Sequence, residues 1–387
     1  MHVLILPSYY PDEFYPNLGS FFREQVNTLA EYGIQVNVIY VEKKSFRNLS
    51  LSKFLKCYFQ STITVEPKWK EYRIKGWNIP GRIGRIIWIS LSGKIFKKYI
   101  AENGKPDIIH AHNLFWAGVL ADKLNKKFQI PFVITEHNST FLTRGLSPNQ
   151  QKIARQIYPA ASKVIAVSKR LRTAIQKIVP QLEIDIIPNI VDTDFFKPDK
   201  WKVNDTEQIK FLAIGNLNKN KGHELLLDAF SKVLKINKHA TLVICGEGEE
   251  KKKLNKKIHA LSLGNNIELT GHLNKWEILK KLQESDCLVH TSYYETFGVV
   301  LIEAISCGIP FITTKSGGPE DIYEDKIGYL IETGNIQSLA NAMIKFIHEK
   351  NMFSKFELRS IALNKYGRKP IYEKLISIYS KMIVNNN

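Results

Sequence analysis

Two carboxylates, Glu295 and Glu303, stand with seven residues between them in YETFGVVLIEAISCGIP, and glycines at 298, 317 and 318 lie close by in the chain. A carboxylate accepts paired hydrogen bonds from vicinal hydroxyls, so each suits a sugar diol. Glycine lets a ligand approach the backbone closely. These residue types point to a nucleotide sugar, with backbone amides for the diphosphate, Glu303 for a ribose diol and Glu295 for hydroxyls of the carried sugar.

The elements that must position these groups are legible in the same stretch. Asp286 to His290 is a short apolar run that suits a strand buried on both faces. Val299 to Ser306 carries apolar residues at helical spacing, and Gly308 and Pro310 end that helix. Pro310 to Thr314 reads as a second buried strand, closing in Ser316, Gly317, Gly318 and Pro319. Two strand-loop-helix joints thus sit side by side. Each aims unpaired N–H groups and the positive end of a helix dipole at one point, which is how backbone holds phosphate.

The chain's 387 residues exceed the usual size of one domain, and its two halves repeat the alternation of strand and helix. Two doubly wound α/β sheets are expected. Net charge is +18, from 55 Lys plus Arg against 37 Asp plus Glu. No zinc-finger, RRM-like or KH-like pattern accompanies it and the lysines are spread through both halves, so no nucleic-acid partner is expected. Cysteines 57, 245, 287 and 307 form no C-x-x-C pair or metal spacing and read as reduced, mostly buried thiols of a cytoplasmic protein. No run approaches the roughly 20 apolar residues that cross a bilayer. MHVLILPSYYP reads as a first strand rather than a signal peptide.

With its flanking strand, Phe297-Gly298 and the later Gly-Gly-Pro-Glu, the Glu295/Glu303 stretch resembles the E-x7-E signature of family 4 glycosyltransferases. The resemblance implies the GT-B fold of two facing Rossmann-like domains, a retaining transfer, and no metal or cofactor beyond the nucleotide-sugar donor. It extends to SYYPDEFYPNLGSFFREQVNTLAEYG, where Gly19 stands for a glycine that lets backbone meet the donor phosphates. It extends also to DIIHAH and to His137 after the fourth strand, matching a histidine that contacts the donor sugar. In GNLNKNKGHELLLDAF, Gly215, Lys221 and Gly222 match the family's G-R-x(4)-K-G diphosphate loop, but Asn216 holds the arginine position. Lys221 is then expected to carry most of the stabilisation of the leaving diphosphate, helped by Lys219 or by Arg23 from the facing domain. By resemblance, the donor contacts are Gly19, Gly215, Asn216, Lys221, Thr296, Phe297, Gly298, Val299 and Glu303, and the catalytic residues are Glu295, His137 and Lys221.

The same resemblance divides the chain into an acceptor-binding domain (1–187), a nucleotide-sugar domain (188–365) and a terminal helix crossing back to the first domain (366–387). The hinge falls at about 188 to 208, where Pro188 and Asn189 break a strand. Tyr9, Tyr10, Phe14 and Tyr15 either stack on acceptor sugar rings or pack as a hydrophobic lid. Residues 68–99 interleave basic and aromatic residues, and Ile83, Ile87, Leu91, Ile95 and Tyr99 recur at i+4. This segment reads either as a peripheral contact with an anionic membrane at the inner face of the plasma membrane, or as a core-facing helix with a solvated basic face. The expected activity is transfer of a hexosyl unit from a UDP- or GDP-sugar to a saccharide or lipid-linked acceptor in surface polysaccharide or glycoconjugate synthesis. The alternatives are a GT-B binding or scaffold protein, which Asn216 favours, and a GT-B nucleotide-sugar enzyme that is no transferase.

Overall fold

The computed structural model describes residues 1–12, 18–44, 61–79, 81–199 and 208–384. Tyr15, Phe14 and Cys57 therefore lie outside the described residues. The first half forms an eight-stranded sheet of β1 (His2–Pro7), β2 (Gln35–Lys44), β3 (Ser61–Val65), β4 (Lys70–Trp77), β5 (Ile108–His112), β6 (Phe132–Glu136), β7 (Lys163–Ala166) and β8 (Ile184–Ile186). Its spatial order is β3-β4-β2-β1-β5-β6-β7-β8. Only β3 runs antiparallel, against β4. The second half forms a six-stranded sheet of β9 (Lys210–Ile214), β10 (Thr241–Cys245), β11 (Ile267–Gly271), β12 (Cys287–His290), β13 (Phe311–Thr314) and β14 (Gly328–Ile331), in the order β11-β10-β9-β12-β13-β14. Every pair in it is parallel. Strands β5, β6, β12 and β13 are buried along their whole length, as apolar runs covered by helices on both faces must be.

Strands β3 and β4 have no counterpart in the sequence reading of residues 42–103, which assigned no strands there. Along β4, Tyr72 and Ile74 are buried in the core while Glu71, Arg73 and Lys75 line a cavity on the other face. That alternation is the period of a half-buried strand. The helix that follows, Gly81–Asn103, turns Trp88, Leu91, Ile95, Phe96 and Tyr99 into the same core. Lys94, Lys97 and Lys98 stay exposed, so most of this helix is core-facing with a basic outer side. Its first two turns show apolar side chains to solvent, with Ile83 68% and Ile86 58% exposed.

The last helix, Arg368–Val384, packs on the first sheet rather than the second. Ile371, Leu375, Tyr379 and Met382 join a cluster with Val3, Ile5, Val36 and Ile108. Arg368 at its start pairs with Glu24 at 2.8 Å and with Asp192 at 3.1 Å, tying helix, first domain and connecting segment together. Among the described residues no helix is long and apolar enough to cross a membrane. Cys245, Cys287 and Cys307 are buried free thiols. Leu375→Ala is expected to destabilise the first domain by about 2–5 kcal/mol, the usual cost of a leucine-sized cavity, measured as an earlier urea transition followed by the tryptophan signal of that domain.

Candidate functional site

Lys221 closes a loop that begins after β9. The loop turns through Lys219–Lys221, with the Asn218 side chain accepting from the Lys221 amide at 3.2 Å. Gly222 then caps the His223–Val233 helix with φ +66°, and a Cβ there would lie 2.4 Å from the Thr291 carbonyl oxygen. Only glycine meets both conditions. Asn220 fastens this loop to the one after β12. Its Nδ2 donates to the Tyr294 carbonyl at 2.9 Å, its Oδ1 accepts from the Tyr294 amide at 3.1 Å, and its carbonyl accepts from the Tyr293 amide at 2.8 Å. The Thr291 hydroxyl adds a bond to the Lys221 carbonyl at 2.7 Å.

These ties bring Lys221 Nζ to 2.7 Å from Glu295 Oε2. His290 Nε2 lies 3.4 Å from the same oxygen, and the amide of Thr296 donates to Glu295 Oε1 at 3.2 Å. Burial would raise the Glu295 carboxyl, but the Lys221 charge and His290 outweigh it and hold the group well below its usual range. Burial keeps His290 itself neutral against the pull of Glu295. The Glu295 backbone pairs with the next joint, its amide donating to Ser316 O at 2.9 Å and its carbonyl accepting from the Gly318 amide at 2.8 Å. Gly298, with φ +100°, then starts the Val299–Ser306 helix, and Phe297 beneath it is buried.

Glu303 lies on that helix, and its carboxylate has no hydrogen-bond partner among the described residues. Burial pushes its carboxyl up to about 7, opposed only by Lys275. A carboxyl kept near neutrality, with no internal partner, suits a ligand that brings its own donors. Gly215 packs against the aliphatic stem of Lys221, and Asn216 is exposed at the loop's outer side.

His137 belongs to the facing domain. Its amide donates to Asn113 Oδ1 at 2.9 Å, and its Nε2 lies 3.1 Å from His112 Nδ1. Burial pushes His137 down to about 3 and His110, which stacks on His112, likewise, so both stay neutral. Fully buried Glu136 anchors the turn, accepting from the amides of Leu114, His137 and Asn138 and from the Tyr158 hydroxyl. Asn113 and Trp116 nearby both hold φ +72°, a conformation that non-glycine residues keep only where surroundings impose it. Gly19 starts the Ser20–Glu31 helix with φ +70°, under the rings of Phe22 and Tyr9.

Lys221, Glu295, Thr296, Gly215 and Gly298 therefore come together in one domain, with Glu303 about one turn along the helix, while His137, Gly19 and Tyr9 form a separate group on the other. The domains meet where Gly317 faces Leu142 and Arg170, each within 3.3 Å of where a Cβ at 317 would sit. The Lys169 amide also donates to Asp321 there at 2.5 Å. Two readings need correction. Arg23 is not a free cation for phosphate, because it is paired with Glu66 and lies over Trp69. The Tyr10 ring is 1% exposed and packed on Tyr40, so it has no face for stacking a sugar. His290, Asn220, Glu136 and Arg170 escaped the sequence reading; the signal for His290 and Glu136 was their position at the ends of buried strands. Cavities of about 360 and 330 Å3 lie elsewhere and do not include Lys221 or Glu295.

Two facing, mainly parallel α/β sheets, with a lysine-carboxylate pair between a glycine-rich loop and a helix start, define a GT-B nucleotide-sugar protein. The model for Glycosyltransferase Family 4 matches residues 18–195, and that for Glycosyl transferases group 1 matches residues 195–368. The chain belongs to the family 4 (group 1) glycosyltransferases. It is 25% identical to the Bacillus subtilis protein provisionally named teichuronic acid biosynthesis glycosyltransferase TuaC, over 90% of each chain. It is 26% identical to N-acetyl-alpha-D-glucosaminyl L-malate synthase of Bacillus anthracis, over 72% of this chain and 73% of that one. Its fold matches sucrose-phosphate synthase of Thermosynechococcus elongatus with TM-score 0.81 at 18% identity over 100% of both chains. It also matches HepE of Anabaena, solved with UDP and glucose, with TM-score 0.73 at 20% identity over 98% of this chain and 100% of that one.

The Glu303 carboxyl also bears on stability. Burial raises the folded carboxyl to about 7 while the unfolded chain ionises in the usual carboxylate range, so stability is lost as pH rises from that range through about 7. Glu303→Gln is expected to raise the thermal midpoint at pH 8 and to raise it much less at pH 5. The gain at pH 8 is bounded at roughly 3 kcal/mol by about 1.4 kcal/mol per pKa unit, and is smaller because Glu303 keeps partial exposure. An equal effect at both pH values would rule the raised pKa out.

Proposed function

We propose that this glycosyltransferase moves a sugar, with retention of anomeric configuration and without a metal, from a UDP-sugar to a saccharide or lipid-linked saccharide in surface polysaccharide or glycoconjugate synthesis. The observation that carries the proposal is the Lys221–Glu295 pair at 2.7 Å, placed where a glycine-rich loop and the start of the Val299–Ser306 helix converge. Backbone amides at that helix start and the Lys221 ammonium receive the diphosphate, and Lys221 neutralises charge as the leaving group departs. Glu295 is then released to take hydroxyls of the transferred sugar, and Glu303 takes the ribose diol. The acceptor hydroxyl oxygen bonds to the anomeric carbon on the face from which the diphosphate leaves. The broken bond's electrons stay on the diphosphate, whose oxygen takes the acceptor's proton. No side-chain base is required, and the neutral His137 positions the sugar.

Asn216 supplies no charge, and charge-assisted contacts to phosphate are about twice as strong as neutral ones. Arg170, beside Gly317 at the domain contact, is the cation best placed to make up the deficit on closure. Support for UDP comes from HepE, solved with UDP, and support for a polysaccharide setting comes from TuaC. Peripheral membrane contact at the inner face of the plasma membrane rests on the exposed Ile83 and Ile86 at the start of a helix with a basic outer side.

Incubation with a panel of UDP- and GDP-sugars, with and without EDTA, should give a thermal shift and slow nucleotide release with one UDP-sugar, unaffected by chelation. No shift with any donor would favour a scaffold protein marked by Asn216. Lys221→Ala is expected to lower kcat by roughly 10²–10³-fold, the usual cost of removing one charge stabiliser. Glu303→Ala is expected instead to weaken donor binding by roughly 10-fold or more, as loss of hydrogen bonds to a charged group does. Unchanged kinetics in both would sink these roles. Wild-type protein should co-sediment with anionic liposomes at low salt and Ile83→Asp/Ile86→Asp protein should not; equal partition would remove the membrane contact.

A further inference from the structure

The transfer proposed above asks Glu295 to change partners. In the free protein its carboxylate is held by Lys221 Nζ at 2.7 Å, with a local bond from the Thr296 amide at 3.2 Å. Once Lys221 turns to the diphosphate, this largely buried carboxylate loses its cation. Such a group finds another donor or turns out to water. His290 is the donor within reach, with Nε2 3.4 Å from Glu295 Oε2.

His290 closes β12 and is paired in register with Thr313 of β13, so both side chains leave the sheet on the same face. Both are buried, as is Ser292. Nδ1 of His290 lies 3.1 Å from Thr313 Oγ1, and Nε2 lies 3.0 Å from Ser292 Oγ. A neutral imidazole carries one N–H, and two arrangements satisfy this ring. In one, the Thr313 hydroxyl donates to Nδ1, and the Nε2 proton is shared by Ser292 Oγ and Glu295 Oε2. In the other, Nδ1–H donates to Thr313 and the Ser292 hydroxyl donates to Nε2. The second sets a nitrogen lone pair against the ionised Glu295, whereas the first sets a donor there. The carboxylate therefore selects the first.

We infer that His290 is a positioning residue for Glu295: its Nε2–H, oriented by Thr313, takes over the carboxylate as Lys221 moves to the diphosphate and holds it towards the hydroxyls of the transferred sugar. The inference rests on the reading of the chain as a nucleotide-sugar transferase. An ionised carboxylate offers about four lone-pair sites. With Oε2 on His290 and Oε1 on the Thr296 amide, each oxygen keeps one site for a vicinal diol. The ring works without charge. A neutral donor leaves Glu295 a strong acceptor and adds no cation to compete with Lys221 for the diphosphate. The chain between the two residues is pinned so that the contact is kept: the Thr314 hydroxyl donates to the Ser292 carbonyl at 2.5 Å, and the Glu295 backbone pairs with Ser316 and Gly318.

Long-range proton–nitrogen NMR of the imidazole groups in the full-length protein, with His290 assigned by the signal missing from His290→Gln, reads the tautomer. Nε2–H is expected without ligand, and its proton is expected to move downfield when UDP binds, as the bond to Glu295 shortens. An Nδ1–H tautomer, or a proton unmoved by bound UDP, overturns the inference. Release of UDP from UDP-glucose, UDP-galactose and UDP-N-acetylglucosamine, each used separately, gives a second reading. Asparagine places its amide nitrogen near Nδ1 and glutamine near Nε2. His290→Asn is therefore expected to lower kcat/KM by roughly tenfold, and His290→Gln to recover most of that loss. In a Glu295→Ala background His290→Asn is expected to cost less than about twofold, because its partner is gone. Equal loss in the Asn and Gln variants, or the same cost with and without Glu295, makes His290 a packing residue and overturns the inference. Circular dichroism checks that the variants fold. Wild-type protein that turns over none of the three donors counts against the transferase reading, while the tautomer still decides the His290–Glu295 contact.

Discussion

Lys221 and Glu295 are 74 positions apart, and the ion pair between them depends on two loops being held to each other as firmly as strands. Asn220 supplies that hold, replacing three backbone contacts that a sheet would have provided. Gly222 allows it, since no side chain fits between the loop and Thr291. The pair stabilises each charge in a setting where burial alone would neutralise Glu295. In the proposed transfer, a phosphate at Lys221 would replace one anion by another, so the site would be charged and ordered before the ligand enters.

The two domains treat charge in opposite ways. The second keeps Glu295 ionised by placing Lys221 beside it, whereas the first buries His110, His112 and His137 so completely that they stay neutral. Glu136, accepting four hydrogen bonds, fixes the backbone turn that presents His137. The proposed transfer would use this as a division of labour, with cations for the diphosphate on one wall and neutral donors and acceptors for hydroxyls on the other.

The terminal helix couples these walls. Arg368 holds Glu24 and Glu31 of the first domain and Asp192 of the connection, and Tyr379 reaches His110 at 2.5 Å. Arg359, one helix earlier, donates to the carbonyls of Thr193, Phe196 and Ser306. The connection between domains is therefore braced by arginines whose rigid forks bind several carbonyls or carboxylates at once.

Local pattern determined the strands that carry the site. The runs at Cys287–His290 and Phe311–Thr314 have the length of the buried strands they form, and Val299–Ser306 has the spacing and flanking glycines of its helix. The spacing of Glu295 and Glu303, and the Lys221-Gly222 pair, were legible for the same reason: a short motif on one joint is local. What tertiary structure decided is the partner on the far side of each group. Periodicity says which residues share a face but not what covers it, so Trp88 and Leu91 could be read as membrane-facing until β4 was seen beneath them. Composition says that Arg23 is a cation and Tyr10 an aromatic. Only the fold sets Glu66 against the first and Tyr40 against the second, because those contacts join segments that nothing in the local sequence ties together.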